Sequence, residues 1–244
     1  EDYRSRVPIR PYEDFAEYLT AAVAGERGVL TEETIHCFTP TSGSVTGSKL
    51  IPYTASLKLE FRAGISPWFF SLVRAFPGIL AGPAYWSITP VGTECTRTTG
   101  GIPIGFDEDS EYFGPVRKSL VKNAMAVPEL VAKIRDPEAF RYVTLRFLVQ
   151  APKLAFVSIW NPTFLGLLLR PLHEWGERLA YDLAHGTVTP PDQRPSDIAR
   201  GMRRHLRRDS GRAAEILRLS REWRTGADGL AERLWPTLTV VSAW

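Results

Sequence analysis

Cysteine is scarce: Cys37 and Cys95 are the only two in 244 residues, and they lie far apart. That argues against a disulfide scaffold and fits a reducing compartment. The four histidines, His36, His173, His185 and His205, are scattered without HExxH or CxxC spacing, so the pattern of a protein-bound zinc site is missing. An excess of one charge is missing too. Lys and Arg total 30 against 27 Asp and Glu, a formal net charge of +3. Such a balance by itself calls for neither a nucleic acid nor a membrane. Long apolar runs are absent as well. The longest candidate, FLGLLLRPL, is broken by Arg170 and Pro171 and is far shorter than the about 20 residues a membrane-spanning helix needs. The chain opens on acidic and basic residues, with no visible signal peptide. A soluble, cytoplasmic protein is expected.

What the chain does have is material for a core. At 44% hydrophobic residues, its length suits one large domain or two small ones. YEDFAEYLTAAVAGERG places Tyr12, Phe15, Tyr18, Leu19, Ala22 and Val23 on one helical face, ending at Gly25 or Gly28. TIHCFTP and KLIPYT read as short strands, with Pro52 putting the second at an edge. Residues 55 to 76 read as helix, with an interruption expected at Gly64 to Pro67. AYWSITP and IPIGF are further strand candidates, divided by a Thr- and Gly-rich stretch. Helical patterns return over 114 to 150, broken near Pro128 and Pro137. KLAFVSIW is the strongest buried-strand signal, and NPTFLGLLLRPLHEW begins a helix capped by Asn161 with Pro162 in its first turn. TVTPPDQRPSD reads as a linker before two Arg-rich helices, and Leu238 to Trp244 as a last strand. Strands alternating with helices imply an α/β fold with a sheet at least partly parallel. There is no internal repeat.

The chain begins at Glu1 without a Met and closes on the strand-like LTVVSAW with no turn after it. Packed strands usually lead into loops, so the natural protein is expected to continue past Trp244.

One stretch stands apart. FTPTSGSVTGSKLIPYT, Phe38 to Thr54, sets hydroxyl side chains around Gly43 and Gly47, then Lys49, between two strand candidates. Composition alone suits a solvated hairpin turn. The same residue types also suit an anion: glycines let backbone N–H groups approach, hydroxyls donate, and a lysine adds a point charge. The spacing is not that of the common P-loop, since Ser48 separates Gly47 from Lys49 and Leu50 follows the lysine; GxGxxG is absent too.

Read in order, PTSGSVTGSKLIPYT resembles the phosphate loop of adenylate-forming enzymes, close to TSGTTGxPK. Within that superfamily the sequence is similar to the auxin-responsive acyl-acid amido synthetases and their bacterial relatives, in which an apolar pair and Pro follow the lysine. VPIRPYEDF, AYWSITPVG, GIPIGFDEDSEYFG, NPTFLGLLLRPLHEW and LWPTLTVVSAW carry the likeness along nearly the whole chain.

The resemblance implies a mixed, partly parallel sheet flanked by helices. Residues 1–244 would be part of the family's larger N-terminal domain, which binds ATP and acyl acid, with the remainder and the mobile C-terminal domain missing. It implies a ligase that uses ATP and Mg²⁺ to convert a carboxylic acid to an acyl-adenylate and then to an amide with an amino acid. Thr41, Ser42, Gly43, Ser44, Thr46, Gly47 and Lys49 would hold the β- and γ-phosphates. Val45 stands where the superfamily commonly has Thr, which removes one donor. The family's adenine- and metal-facing turn, its ribose Asp and its late lysine would all lie beyond Trp244, so no catalytic residue is assigned within the chain. The partners implied are a small carboxylic acid and an amino acid, not a nucleic acid or a membrane.

Other readings stand beside this one. An acyl-CoA ligase shares the loop. A binding protein could use Arg200, Arg203, Arg204, Arg207, Arg208, Arg212, Arg218, Arg221 and Arg224 on nucleic acid, although a solvated helix face is the favoured reading of that cluster. The acidic run Asp107 to Glu111 lacks EF-hand spacing and reads as a solvated turn. By the resemblance the acyl substrate would lie beside the loop, and Tyr85, Trp86, Ser158 and Trp160 are on strand candidates that could reach it; plain packing is the favoured reading of each.

Overall fold

The computed structural model describes residues 2–41, 49–87, 96–105, 124–191, 201–223 and 229–243. In chain order the elements are α1 (Asp2–Arg6), α2 (Ala16–Val23), β1 (Cys37–Pro40), β2 (Leu50–Tyr53), α3 (Ala55–Ala75), β3 (Ala84–Ser87), β4 (Thr96–Arg97), β5 (Pro103–Ile104), α4 (Pro137–Gln150), β6 (Phe156–Ile159), α5 (Pro162–Leu169), α6 (Leu172–His185), α7 (Ser210–Trp223), α8 (Leu230–Leu234) and β7 (Val240–Ala243). They fall into two units, Glu1–Gly64 with Glu94–Asp107, and Ile65–Thr93 with Glu108–Trp244. Among the described residues no helix is long and apolar enough to cross a membrane.

The first unit carries a four-stranded sheet in the order β2-β1-β5-β4. Strand β1 runs antiparallel to β2 and parallel to β5. Pro52 lies on β2, at the sheet's edge, where its missing N–H costs no ladder bond. Leu19, Ala22 and Phe38 form the small buried core, with Leu50, Ile102 and Ile104 packed on it. The helix expected over the YEDF segment begins as a 3₁₀ turn, Tyr12–Phe15, before α2. Its apolar face is narrower than the periodicity suggests, because Phe15 and Tyr18 are exposed. The start of α3 is well held. Thr54 Oγ1 accepts from Leu57 N at 3.2 Å, and Glu33 accepts from the Ser56 amide at 3.1 Å and from its hydroxyl. These bonds, the hydroxyl first, hold the Glu33 carboxyl below the usual carboxylate range.

The second unit is built on a fully parallel three-stranded sheet, β3-β6-β7. All four residues of β6 are buried, as its uninterrupted apolar run requires of a central parallel strand. On one face Tyr85, Val157 and Ile159 join the main core with Phe147, Leu172 and Ile216. On the other, Trp86 meets Trp68 edge-on at 5.8 Å, and Phe156 meets Phe69 at 6.3 Å.

That aromatic contact accounts for one correction. α3 is a single helix through Pro67, not interrupted at Gly64 to Pro67. Proline removes an amide donor and crowds the carbonyl four residues back. Trp68 and Phe69, just beyond it, pack half-buried rings against Trp86 and Phe156 of the sheet, and that packing outweighs the local preference.

Prolines elsewhere start helices. Asp136 accepts from Ala139 N and Pro137 opens α4; Asn161 accepts from Thr163 N and Pro162 opens α5. Helix α6 ends at Gly186, whose φ of +66° is the left-handed conformation glycine adopts without strain. Helices α6 and α7 approach so closely that a Cβ on Gly176 would lie 2.3 Å from Ser220 Cβ.

A polar network runs through this apolar interior. Asp182, wholly buried, accepts from the Tyr142 hydroxyl at 2.7 Å, the Thr187 hydroxyl at 2.6 Å and the Thr189 amide at 2.7 Å. Arg146, also wholly buried, donates to the carbonyls of Thr187 and Asp182 at 3.1 and 3.0 Å and to Gln150 Oε1 at 3.0 Å. Its guanidinium thereby meets carbonyls at the negative end of α6. Burial lowers it to about 10, opposed by the Asp182 charge, which leaves it protonated at neutral pH. Burial also pushes the Tyr142 hydroxyl far above its ordinary range, reinforced by Asp182.

Candidate functional site

The strand–loop–strand expectation holds at both feet of the loop. β1 and β2 pair from Cys37↔Tyr53 to Pro40↔Leu50. One step further, Thr41 N donates to Lys49 O at 2.8 Å and Lys49 N donates to Thr41 Oγ1 at 3.2 Å. The backbone thus leaves and re-enters the sheet at facing residues, pinned by a main-chain bond and a hydroxyl. Of the residues assigned to phosphate binding, Thr41 and Lys49 are brought together. Ser42, Gly43, Ser44, Thr46 and Gly47 lie outside the described residues.

The Lys49 side chain is oriented from outside the loop. Its ammonium donates to Glu13 Oε1 at 2.6 Å and sits 4.9 Å from the centroid of the Tyr12 ring. The Tyr12 hydroxyl donates to Leu50 O at 3.0 Å and accepts from Leu50 N at 2.9 Å, locking the 3₁₀ turn to the edge strand. The hydrogen bond from Lys49, then the Glu13 amide, holds the Glu13 carboxyl below its ordinary range. Tyr12, expected only on a helical apolar face, and Glu13 both stand in VPIRPYEDF, one of the phrases that carry the resemblance. At the feet of the loop the Lys49 ammonium is thus held between the Glu13 carboxylate and the Tyr12 ring, with its amide bonded to the Thr41 hydroxyl.

Residues 1–244 match the GH3 family N-terminal domain along their full length. The chain belongs to the GH3 family. Its fold resembles that of the AtGH3.15 acyl acid amido synthetase in complex with 2,4-DB, with a TM-score of 0.80 at 17% identity over 100% of this chain. A further structure of GH3.15 acyl acid amido synthetase gives 0.74 at 17% identity, again over 100% of this chain. The chain spans 42% and 43% of the length of those two proteins. At that identity the likeness carries the fold, and it agrees with the mixed sheets flanked by helices seen in this GH3 domain. No curated protein sequence matches the chain.

The remaining sequence candidates divide clearly within the GH3 domain. Tyr85 and Ser158 are buried, Trp86 is half-buried in the aromatic contact with Trp68, and Trp160 is 54% exposed. The acidic run Asp107 to Glu111 lies outside the described residues, as do Arg200 and Arg224.

Among the described residues of the Arg-rich segment, Arg203, Arg204, Arg207, Arg208, Arg218 and Arg221 are exposed, as a solvated face requires, and Arg212 is the exception. Arg212 is buried and donates to the carbonyls of Val149 and Leu234 at 2.8 and 2.7 Å while pairing with Glu215 at 2.6 Å. Arg208 donates to His185 O at 3.1 Å. Arg218 pairs with Glu222 at 2.8 Å on the surface. A guanidinium presents five donors in a rigid fork, and here two of the arginines use them on the domain's own carbonyls.

Proposed function

We propose that this chain supplies the ATP- and acyl-acid-binding part of a ligase that activates a carboxylic acid as its adenylate and transfers the acyl group to the amine of an amino acid. The carrying observation is the pinned pair Thr41 and Lys49 at the feet of a Ser/Thr/Gly loop, in a chain of the GH3 family. In the first step a carboxylate oxygen attacks the α-phosphorus of ATP and pyrophosphate leaves. In the second the amine attacks the acyl carbon, loses a proton, and AMP leaves. The first step depends on neutralising and aligning the triphosphate, the second on holding the acyl carbon of the adenylate in reach of the amine.

Lys49 would take the outer phosphates with Thr41, Ser42, Gly43, Ser44, Thr46 and Gly47 as donors. Mg²⁺ would arrive with the nucleotide, since this strongly hydrated cation needs few protein carboxylates beside phosphate oxygens. Of the Arg-rich segment, Arg212 is spent on the domain's own carbonyls and is not presented to a nucleic acid. The activity is proposed for the complete protein. The test is MgATP binding by the complete protein and by its Lys49→Ala variant, with circular dichroism to verify folding. Loss of binding in a folded variant is expected, and unchanged affinity would sink the loop assignment.

A further inference from the structure

We propose that Glu13 is the resident counterion of Lys49 and that a nucleoside triphosphate must displace it to engage that lysine. This rests on the reading of residues 41 to 49 as a phosphate-binding loop. Three restraints converge on the lysine: Thr41 on its backbone at 3.2 Å, the Tyr12 ring 4.9 Å from its ammonium, and the Glu13 carboxylate at 2.6 Å. They differ in what a phosphate does to them. The backbone bond and the ring contact are compatible with an incoming anion, because neither carries negative charge. The carboxylate is not, since it repels a phosphate oxygen approaching the same ammonium.

Glu13 is free to leave. Its side chain is 62% exposed, against 33% for Lys49, so it can swing into solvent while Tyr12, bonded twice to Leu50, stays in place. Glu13 is therefore a positioning residue that orients Lys49 and lowers affinity for the anion that displaces it. Tyr12 retains the ammonium when the exchange occurs.

The experiment measures MgATP and inorganic tripolyphosphate affinity by calorimetry in the complete protein, for wild type, Glu13→Gln, Lys49→Ala and the double variant. Removing an exposed ion-pair competitor is expected to tighten Glu13→Gln by about two- to fivefold for both ligands, with Tm nearly unchanged. Lys49→Ala weakens binding, and Glu13→Gln adds nothing in its background. If Lys49→Ala weakens binding while Glu13→Gln is neutral or weaker than wild type, the Glu13 proposal is overturned and the loop reading stands. If Lys49→Ala leaves both affinities unchanged, both fall.

Discussion

Lys49 Nζ donates to Glu13 Oε1 at 2.6 Å across 36 residues of sequence. The pair ties the returning strand of the loop to the turn that precedes α2. Because the Glu13 carboxyl is held below its ordinary value of 4.5, the sign of its linkage is fixed. The pair is fully present above the unfolded carboxyl's pKa and is lost as pH falls through the lowered folded value. Carboxyl carbon NMR is expected to show Glu13 titrating below the ordinary range, and Lys49→Ala should bring it back up. A normal Glu13 titration in the wild type would contradict the pairing.

Gly176 and Ser220 predict an unusual helix substitution. Alanine ordinarily favours a helix over glycine by about 1 kcal/mol. At position 176, however, its Cβ would meet Ser220 Cβ at 2.3 Å. Overpacking of this kind costs about 1–3 kcal/mol, so Gly176→Ala should lower Tm. Adding Ser220→Gly should restore part of the loss. A more stable Gly176→Ala single variant would show that α6 and α7 are not packed this closely.

Arg146 and Arg218 should respond very unequally to truncation. Arg146→Met removes a buried cation and its hydrogen bonds to the carbonyls of Thr187 and Asp182 and to Gln150 Oε1, of which the last two keep the Thr187 and Arg207 amides as donors. A loss of about 2–4 kcal/mol in urea unfolding is expected. Arg218→Ala removes a solvated pair with Glu222 and should leave the midpoint essentially where it was. Equal effects of the two would overturn the structural role given to Arg146.

Much of this was legible locally. Asn161 before Pro162 marks a helix start, Pro52 marks an edge strand, and the apolar run at Phe156–Ile159 marks a central one, because each signal sits within a few residues. The continuity of α3 was not legible, since Pro67 speaks for a break and only the distant Trp86 and Phe156 outweigh it. The buried network was missed for the same reason: Tyr142 and Asp182 are 40 residues apart. A local hint existed in the spacing of Arg146 and Gln150, two polar residues one helical turn apart in an apolar helix. The two strands that flank residues 41 to 49 were legible, whereas the contacts of Tyr12 and Glu13 with Lys49 arise only through the fold that brings them together.

Carboxylate-dependent ATP–pyrophosphate exchange by the complete protein tests the central claim most directly, because it reads adenylation before any amine is supplied. Across a panel of acyl acids, exchange is expected with at least one acid, none without acid, and a fall of about tenfold or more in Lys49→Ala. Exchange absent for every acid, or undiminished by loss of the Lys49 ammonium, would contradict the assignment of this chain to acyl activation through its Thr41–Lys49 loop.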